Sequence, residues 1–207
     1  MTHKGGPRIV ITSTFRQAAD GMAEFLKLES AGGLLLVATA VLSLMCSNTA
    51  LRPTADLAAL VATASRMSAA INASGIDTCP CHADGVTSNV MLHGDDPTGA
   101  LRLVDFDEAA NTDPAFDIAV TLNEVLSDLS TWPAALEMPN GHMTNAMLAR
   151  TRCYAFADDL RWGLWGLKMD ATSPRRHIEF LKYAQWRLLR CSMAASRMDT
   201  DDLLTLI

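Results

Sequence analysis

CHADGVTSNVMLHGDDPTGALRLVDFDEAANTDPAFDIA, residues 81–119, is the most informative part of the sequence. Within it, His82, Asp84 and Asn89 have the spacing H-x-D-x-x-x-x-N, and the motif Asp-Phe-Asp follows at 105–107. A buried histidine beside a turn-capping aspartate would explain the first spacing alone. The apolar run before Asp105 and the block Asp-Pro-Ala-Phe-Asp at 113–117 favour a functional motif over coincidence.

The spacing supplies the oxygen-bearing side chains that phosphoryl transfer requires. A carboxylate must orient the acceptor hydroxyl and accept its proton, and two oxygen ligands must hold magnesium against the nucleotide phosphates. Asp84 is the candidate base, and His82 is the second candidate catalytic residue. Asn89 and Asp105 are the candidate ligands for Mg²⁺ and ATP. The pattern is therefore that of a kinase catalytic loop followed by a metal-binding aspartate.

Two short apolar runs between these ligands predict a β-hairpin. The runs at 90–92 and 101–104 are joined by residues 94–99, Gly-Asp-Asp-Pro-Thr-Gly, which are typical of a turn. Such a hairpin returns the end of its second strand to Asn89. Asn89 and Asp105 could therefore share one ion.

Residues from about 56 to about 197 resemble the C-terminal lobe of choline/ethanolamine kinase-like proteins, within the aminoglycoside phosphotransferase superfamily. The resemblance is carried by PCHAD at 80–84, SN at 88–89, LVDFD at 103–107, DPAFDIA at 113–119 and DLRWGLW at 159–165. One departure is Ala83, where these proteins usually have asparagine. The resemblance implies that Asp117 supports the catalytic loop through hydrogen bonds and takes no part in the chemistry.

The resemblance also suggests where the substrate binds. In choline kinase-like proteins, aromatic residues of the C-terminal helices form a cage for a quaternary ammonium, whose charge the ring faces attract. Trp162 and Trp165, three residues apart on a predicted helix, are the candidates here. The candidates for an acidic counter-charge are Asp107, Glu124, Asp158 and Asp159. The alternative is that the tryptophans belong to the core.

The first fifty residues differ from the rest of the chain. Residues 30–51 carry no charge, and a membrane span needs about 20 apolar residues. A buried helix is the alternative, because the strictly apolar part is shorter. FLKLESAGGLLL at 25–36 and SNTAL at 47–51 give residues 15–52 a resemblance to the start of bacterial sodium/proton antiporters of the two-inverted-repeat type. Because this resemblance covers only the first helix of such a transporter, we expect that the segment alone transports no ions.

Composition narrows the classes of function. The 207 residues are 49% hydrophobic with a net charge of −6, and no basic run occurs. Binding of nucleic acid through a phosphate-tracking surface is therefore disfavoured. The five scattered cysteines do not have the spacing of a zinc site and are interpreted as reduced thiols that mainly fill the core.

These patterns predict an α+β, mostly helical fold: a protein-kinase-like C-lobe with a short β-hairpin, no N-lobe and an N-terminal apolar helix. The predicted division is residues 1–53, antiporter-like, and residues 54–207, kinase-like. Helices are expected at 55–74, 118–129 and 147–168, with another starting at Ser173 and Pro174, and a loop is expected at 131–144. In the first helix the buried face would comprise Leu57, Leu60, Val61, Ala64, Met67 and Ile71.

No glycine-rich loop over the phosphates and no strand lysine is recognisable in the sequence, so we expect a truncated enzyme with little turnover from this chain alone. The leading interpretation is a choline kinase-like phosphotransferase that acts on a small-molecule alcohol in the cytoplasm. One alternative is a non-catalytic module of the same fold. Another is an antiporter-derived fusion that associates with a membrane, or with itself, through residues 30–51.

Overall fold

The computed structural model describes residues 54–92, 100–175 and 177–207. Its first element is helix α1 (Thr54–Ser74), which ends at Gly75 with a backbone φ of 87°, a value that glycine adopts without strain. The face predicted for this helix packs into the core, with Met67 completely buried. The antiporter-like segment with its apolar helix, predicted at residues 1–53, lies outside the described residues.

Two small antiparallel sheets follow α1 and position the candidate site. Strand β2 (Val90–Leu92) pairs with β3 (Leu101–Leu103), as the turn signals predicted. Strand β1 (Cys79–Cys81) pairs with β4 (Ala110–Thr112), which the sequence analysis did not predict. This second pairing brings the residue after Cys81 close to the helix that follows Thr112.

Helix α2 (Pro114–Val125) begins four residues earlier than predicted. Asp113 caps it, because its carboxylate accepts a hydrogen bond from the backbone N–H of Ala115, and proline is well tolerated in the first turn. The early start places Asp117 in the first turn of the helix, facing the loop that carries His82 and Asp84.

The prediction of a loop at 131–144 is wrong, because helix α3 (Trp132–Asn140) occupies most of this segment. Pro133 lies in the first turn, where its missing N–H costs nothing, and Gly141 ends the helix in the left-handed conformation. Trp132 and Leu136 are each only 1% exposed, so burial of one helix face outweighs the local turn signals.

Helix α4 (Asn145–Thr172) confirms the predicted long helix and extends it at both ends. The predicted helix start at Ser173 and Pro174 is wrong. Ser173 ends α4, its hydroxyl accepts a hydrogen bond from the backbone N–H of Arg175, and helix α5 (Phe180–Arg197) begins only at Phe180. A short last helix, α6 (Thr200–Thr205), packs Leu203 into the core.

Helices α4 and α5 pack closely because two glycines face α5. A Cβ atom added to Gly166 would lie 2.9 Å from the Cβ of Ala184, and one added to Gly163 would lie 2.8 Å from the end of the Leu188 side chain. In the described part of the chain, no helix has the length and apolar character of a membrane span.

Candidate active site

The backbone of the loop after β1 is held by Asp117. Its two carboxylate oxygens accept hydrogen bonds from the backbone N–H groups of His82 and Ala83, at 2.9 and 3.0 Å. Gly85 allows close approach to α2, since a Cβ there would lie 2.2 Å from the hydroxyl oxygen of Thr121. The loop is therefore fixed against the first turns of α2.

Ala83 adopts a left-handed conformation, with φ of 62°. This conformation is unfavourable for alanine and more easily adopted by asparagine. The departure from the usual family residue at this position therefore leaves some strain in the loop, which the hydrogen bonds to Asp117 offset.

Asp84 and Asn89 lie in direct contact. The side-chain amide of Asn89 donates to a carboxylate oxygen of Asp84 at 2.8 Å and to the backbone carbonyl of Asp84 at 3.0 Å. Asn89 is 6% exposed, whereas Asp84 is half-buried. Because the amide nitrogen is used in this way, the remaining polar atom of Asn89 is its oxygen, which can only accept a hydrogen bond or ligate a cation.

The segment before Asp105 is fixed to the same loop on both sides. The backbone N–H of Val104 donates to the carbonyl of Asn89 at 3.0 Å, and the Nε2 atom of His82 lies 2.8 Å from the carbonyl oxygen of Val104. Because a carbonyl only accepts, Nε2 carries the hydrogen. The ring of His82 also packs against that of Phe106, with centroids 4.6 Å apart. His82 thus positions the segment that carries Asp105.

Asp105 has the features of a constrained functional residue. Its φ is 66°, a left-handed value that is uncommon outside glycine and that clusters at functional sites. The pKa of its carboxyl is raised above the usual value, first by the negative charge of Asp107 and a hydrogen bond to it, and to a smaller degree by Asp84. Three carboxylates therefore crowd one exposed edge of the site, and a cation bound there would relieve their repulsion.

The residues fit a magnesium ion that is completed by phosphate oxygens. In the described part of the chain, no group of three or more His, Cys, Asp or Glu side chains is arranged to hold a metal alone. Magnesium keeps several waters and is usually bound through one or two protein oxygens together with substrate phosphates. Asp105 and the oxygen of Asn89 are of this type.

Asp113 is a buried residue whose part in the site's architecture the sequence analysis missed. Besides capping α2, its carboxylate accepts hydrogen bonds from Arg150 Nε at 2.5 Å and from the hydroxyl of Tyr154 at 2.9 Å. Arg150 also donates to the carbonyl of Gly75. Asp113 thereby ties the end of α1 and the helix α4 to the start of α2. The Asp-Pro pair at 113–114, at the start of the helix, was the signal for its capping role.

The predicted substrate tryptophans lie on α4, close to the segment after Asp105. Trp162 and Trp165 contact each other edge to face, with centroids 5.4 Å apart. Arg161 lies over the ring of Trp162 and pairs with Glu108 at 2.8 Å. Trp165 also contacts Phe180 and is 40% exposed. One ring face of the predicted cage is therefore already covered by a guanidinium group.

The acidic candidates separate into two groups. Asp107 and Glu124 are exposed, and Glu124 Oε1 lies 3.5 Å from the hydroxyl of Thr87 in the loop after β1. Asp158 and Asp159 are buried and both accept hydrogen bonds from Arg187 Nη1. The expectation that Asp158 and Asp159 offer a counter-charge to substrate is therefore wrong, because arginine already neutralises them.

Comparison with known proteins agrees with this geometry. The model of the phosphotransferase enzyme family matches residues 20–146, which is more than half of the chain, so the chain belongs to this family. No curated protein sequence gives a significant match. The family match begins within the segment predicted to resemble antiporters, and that resemblance stays a prediction.

Solved structures show the fold. A choline/ethanolamine kinase family protein from Mesorhizobium loti matches with a TM-score of 0.71 and 22% identity, over 92% of this chain and 65% of that one. A choline kinase from Streptococcus pneumoniae matches with a TM-score of 0.60 and 16% identity, over 90% and 66%. A Plasmodium vivax ethanolamine kinase matches with a TM-score of 0.59 and 14% identity, over 81% and 50%. The chain thus spans about half to two thirds of the length of these proteins.

Proposed function

We propose that the protein transfers a phosphoryl group from ATP to the hydroxyl of a small-molecule alcohol such as choline or ethanolamine. The observation that carries this proposal is the contact of Asp84 with Asn89, together with the hydrogen bond from the Val104 N–H to the Asn89 carbonyl, which joins the ends of the β2–β3 hairpin next to Asp105. Family membership and the kinase fold of the structural neighbours support it. The matching choline kinase is also known in complex with AMP.

In this proposal each residue has a distinct task. Asp84 orients the acceptor hydroxyl and accepts its proton as the oxygen attacks the terminal phosphorus and ADP leaves. Asn89 keeps the carboxylate of Asp84 in place through its amide N–H. Asp105 and the oxygen of Asn89 would hold magnesium, which would neutralise charge on the phosphates. His82 positions the Val104 carbonyl and therefore the backbone of Asp105.

The acceptor proposal rests on the structural neighbours and on the surface between α4 and the Asp105 segment. Trp165 has exposed ring area near the Glu108–Arg161 ion pair, and Asp107 and Glu124 supply negative charge on the exposed side of the loop. A positively charged amino alcohol fits these features, because ring faces and carboxylates both attract a cation.

Calorimetry with Mg²⁺ and ATP tests the nucleotide site, and phosphorylation of choline and ethanolamine tests the reaction. We expect Asp105→Asn to abolish magnesium-dependent ATP binding. Asp84→Asn should keep that binding but lose turnover. Asp77→Asn, an exposed aspartate outside the site, is the control and should behave like the wild type. Identical titrations for Asp105→Asn and the wild type would contradict the assignment.

A further inference from the structure

A cavity of about 450 Å³ lies between helices α2, α4 and α5. Aromatic and apolar side chains form most of its wall, among them Trp132, Phe156, Trp186, Leu189 and Met193. The first two are buried, whereas the three from α5 are substantially exposed, so the α5 side of the wall also faces solvent. Small-molecule sites commonly have about this size and are mainly apolar with a few polar groups.

The polar groups of the cavity are charged, and some of them already satisfy one another. Asp159 accepts hydrogen bonds from Arg187 Nη1 at 2.9 Å and lies 3.1 Å from Arg190 Nε. Arg190 also donates to the backbone carbonyl of Asn123. Asp159 and Arg190 are therefore paired, and neither is left to recognise a ligand.

Two other arginines on the wall are not matched in this way. The Nε atom of Arg152 is buried and has no hydrogen-bond partner in the described part of the chain. Arg197 also lines the cavity and makes no ion pair with any described residue. The remaining carboxylate on the wall is Glu124, whose described contact is the one with Thr87 and not with either arginine. A buried donor without an acceptor is costly, so Arg152 favours an anionic ligand, and the exposed Arg197 adds a second positive charge on the same wall.

We propose that this cavity binds a small apolar molecule that carries a carboxylate, with the carboxylate on Arg152 and Arg197 and the apolar body against the aromatic wall. A quaternary ammonium is a poor occupant, because it would meet two unmatched positive charges. The site lies beside the proposed phosphotransfer centre, with Glu124 as the residue that connects the two, and its binding does not depend on turnover.

The test compares three probes with the same ten-carbon chain and different head groups, titrated into the full chain without nucleotide. Decanoate should bind and 1-decanol should bind more weakly, whereas decyltrimethylammonium, whose head group suits the proposed acceptor site instead, should not displace decanoate. All three are used below the concentration at which they form micelles. Displacement of decanoate by the ammonium probe would overturn the proposal, and so would equal binding of decanoate and decanol.

Two variants then locate the carboxylate. Arg152→Met and Arg197→Met keep much of the side-chain stem and remove the charge, and each should weaken decanoate binding by about 10- to 100-fold, as expected for a lost hydrogen bond to a charged group. Arg175→Met, an exposed arginine outside the cavity wall, should leave the affinity unchanged. Undiminished decanoate binding in both cavity variants would overturn the proposal. If Arg152→Met does not fold, Arg197→Met and the comparison of head groups give the answer.

Discussion

Replacing Arg187 by methionine tests whether a buried charge network holds α4 and α5 together. Arg187 Nη1 lies 3.3 Å from Asp158 Oδ2 and 2.9 Å from Asp159 Oδ1, and all three side chains are less than a tenth exposed. Removing one partner of a buried ion pair typically costs about 3–5 kcal/mol, because a charge is left without compensation. Here Asp159 keeps Arg190 at 3.1 Å. We therefore expect Arg187→Met to lower the free energy of unfolding by an amount near the lower limit of this range, about 3 kcal/mol at pH 8.

The loss should depend on pH. Burial raises the pKa of Asp158 from 3.8 to about 6, and the charge of Arg187 opposes this rise. A raised native pKa means that the native state binds more protons than the unfolded state between the two values, so this group's contribution to stability falls as pH rises through that window. Without Arg187 the pKa of Asp158 rises further. At pH 5 the Asp158 carboxyl is already protonated, so the substitution should lower the free energy of unfolding by only about half as much as at pH 8.

Urea denaturation followed by tryptophan fluorescence measures this effect at pH 5 and pH 8. Lys182→Met is the control on the same helix, since Lys182 and Glu179 form an exposed pair at 3.1 Å. Such a pair contributes about 0–1 kcal/mol. A loss in Arg187→Met that equals the control at pH 8, or that is the same at both pH values, would refute the reasoning.

Two further predictions concern close contacts. Gly166→Ala should lower the free energy of unfolding by about 1–3 kcal/mol, since its methyl group meets the backbone of α5, whereas Gly163→Ala should cost less because the Leu188 side chain can move. Urea denaturation of both variants checks this order, and equal losses would contradict it. Asp117→Asn should cost about 1–3 kcal/mol, because one of its two acceptor oxygens becomes a donor facing a backbone N–H. The relative loss of phosphotransfer turnover should exceed the relative loss of the free energy of unfolding. Unchanged turnover would show that Asp117 does not position the loop.

The sequence predicted those parts of the fold for which the local signals point to one structure. The β2–β3 hairpin was predicted from turn residues between two apolar runs, the face of α1 was predicted from helical spacing, and both were confirmed. Helix α3 was missed because Pro133, Pro139 and Gly141 are turn signals when they are read locally. Only the packing of Trp132 and Leu136 shows that a helix forms here, with Pro133 in its first turn, Pro139 inside it and Gly141 after its end.

The candidate members of the site and one support, Asp117, could be proposed from the motif and the resemblance, whereas the ion pairs of the surrounding helices could not. The spacing of the motif identified Asp84, Asn89 and Asp105 and implied that the hairpin brings them together. The pairing of Arg187 with Asp158 and Asp159 joins residues nearly thirty positions apart on two helices, and no local pattern reports such a contact. The arginine over Trp162 was missed for a different reason: Arg161 is its neighbour in sequence, but the orientation of its side chain depends on Glu108.

The supports of the site form one continuous path of hydrogen bonds. Asp117 holds the backbone N–H of His82, the ring of His82 holds the carbonyl of Val104, and the N–H of Val104 is held by the carbonyl of Asn89. Asp105, the next residue, therefore has its left-handed backbone fixed from two directions. We therefore expect a change at Asp117 to alter the position of Asp105, although the two residues belong to different elements. This coupling explains why a carboxylate outside the chemistry is expected to affect turnover more strongly than stability.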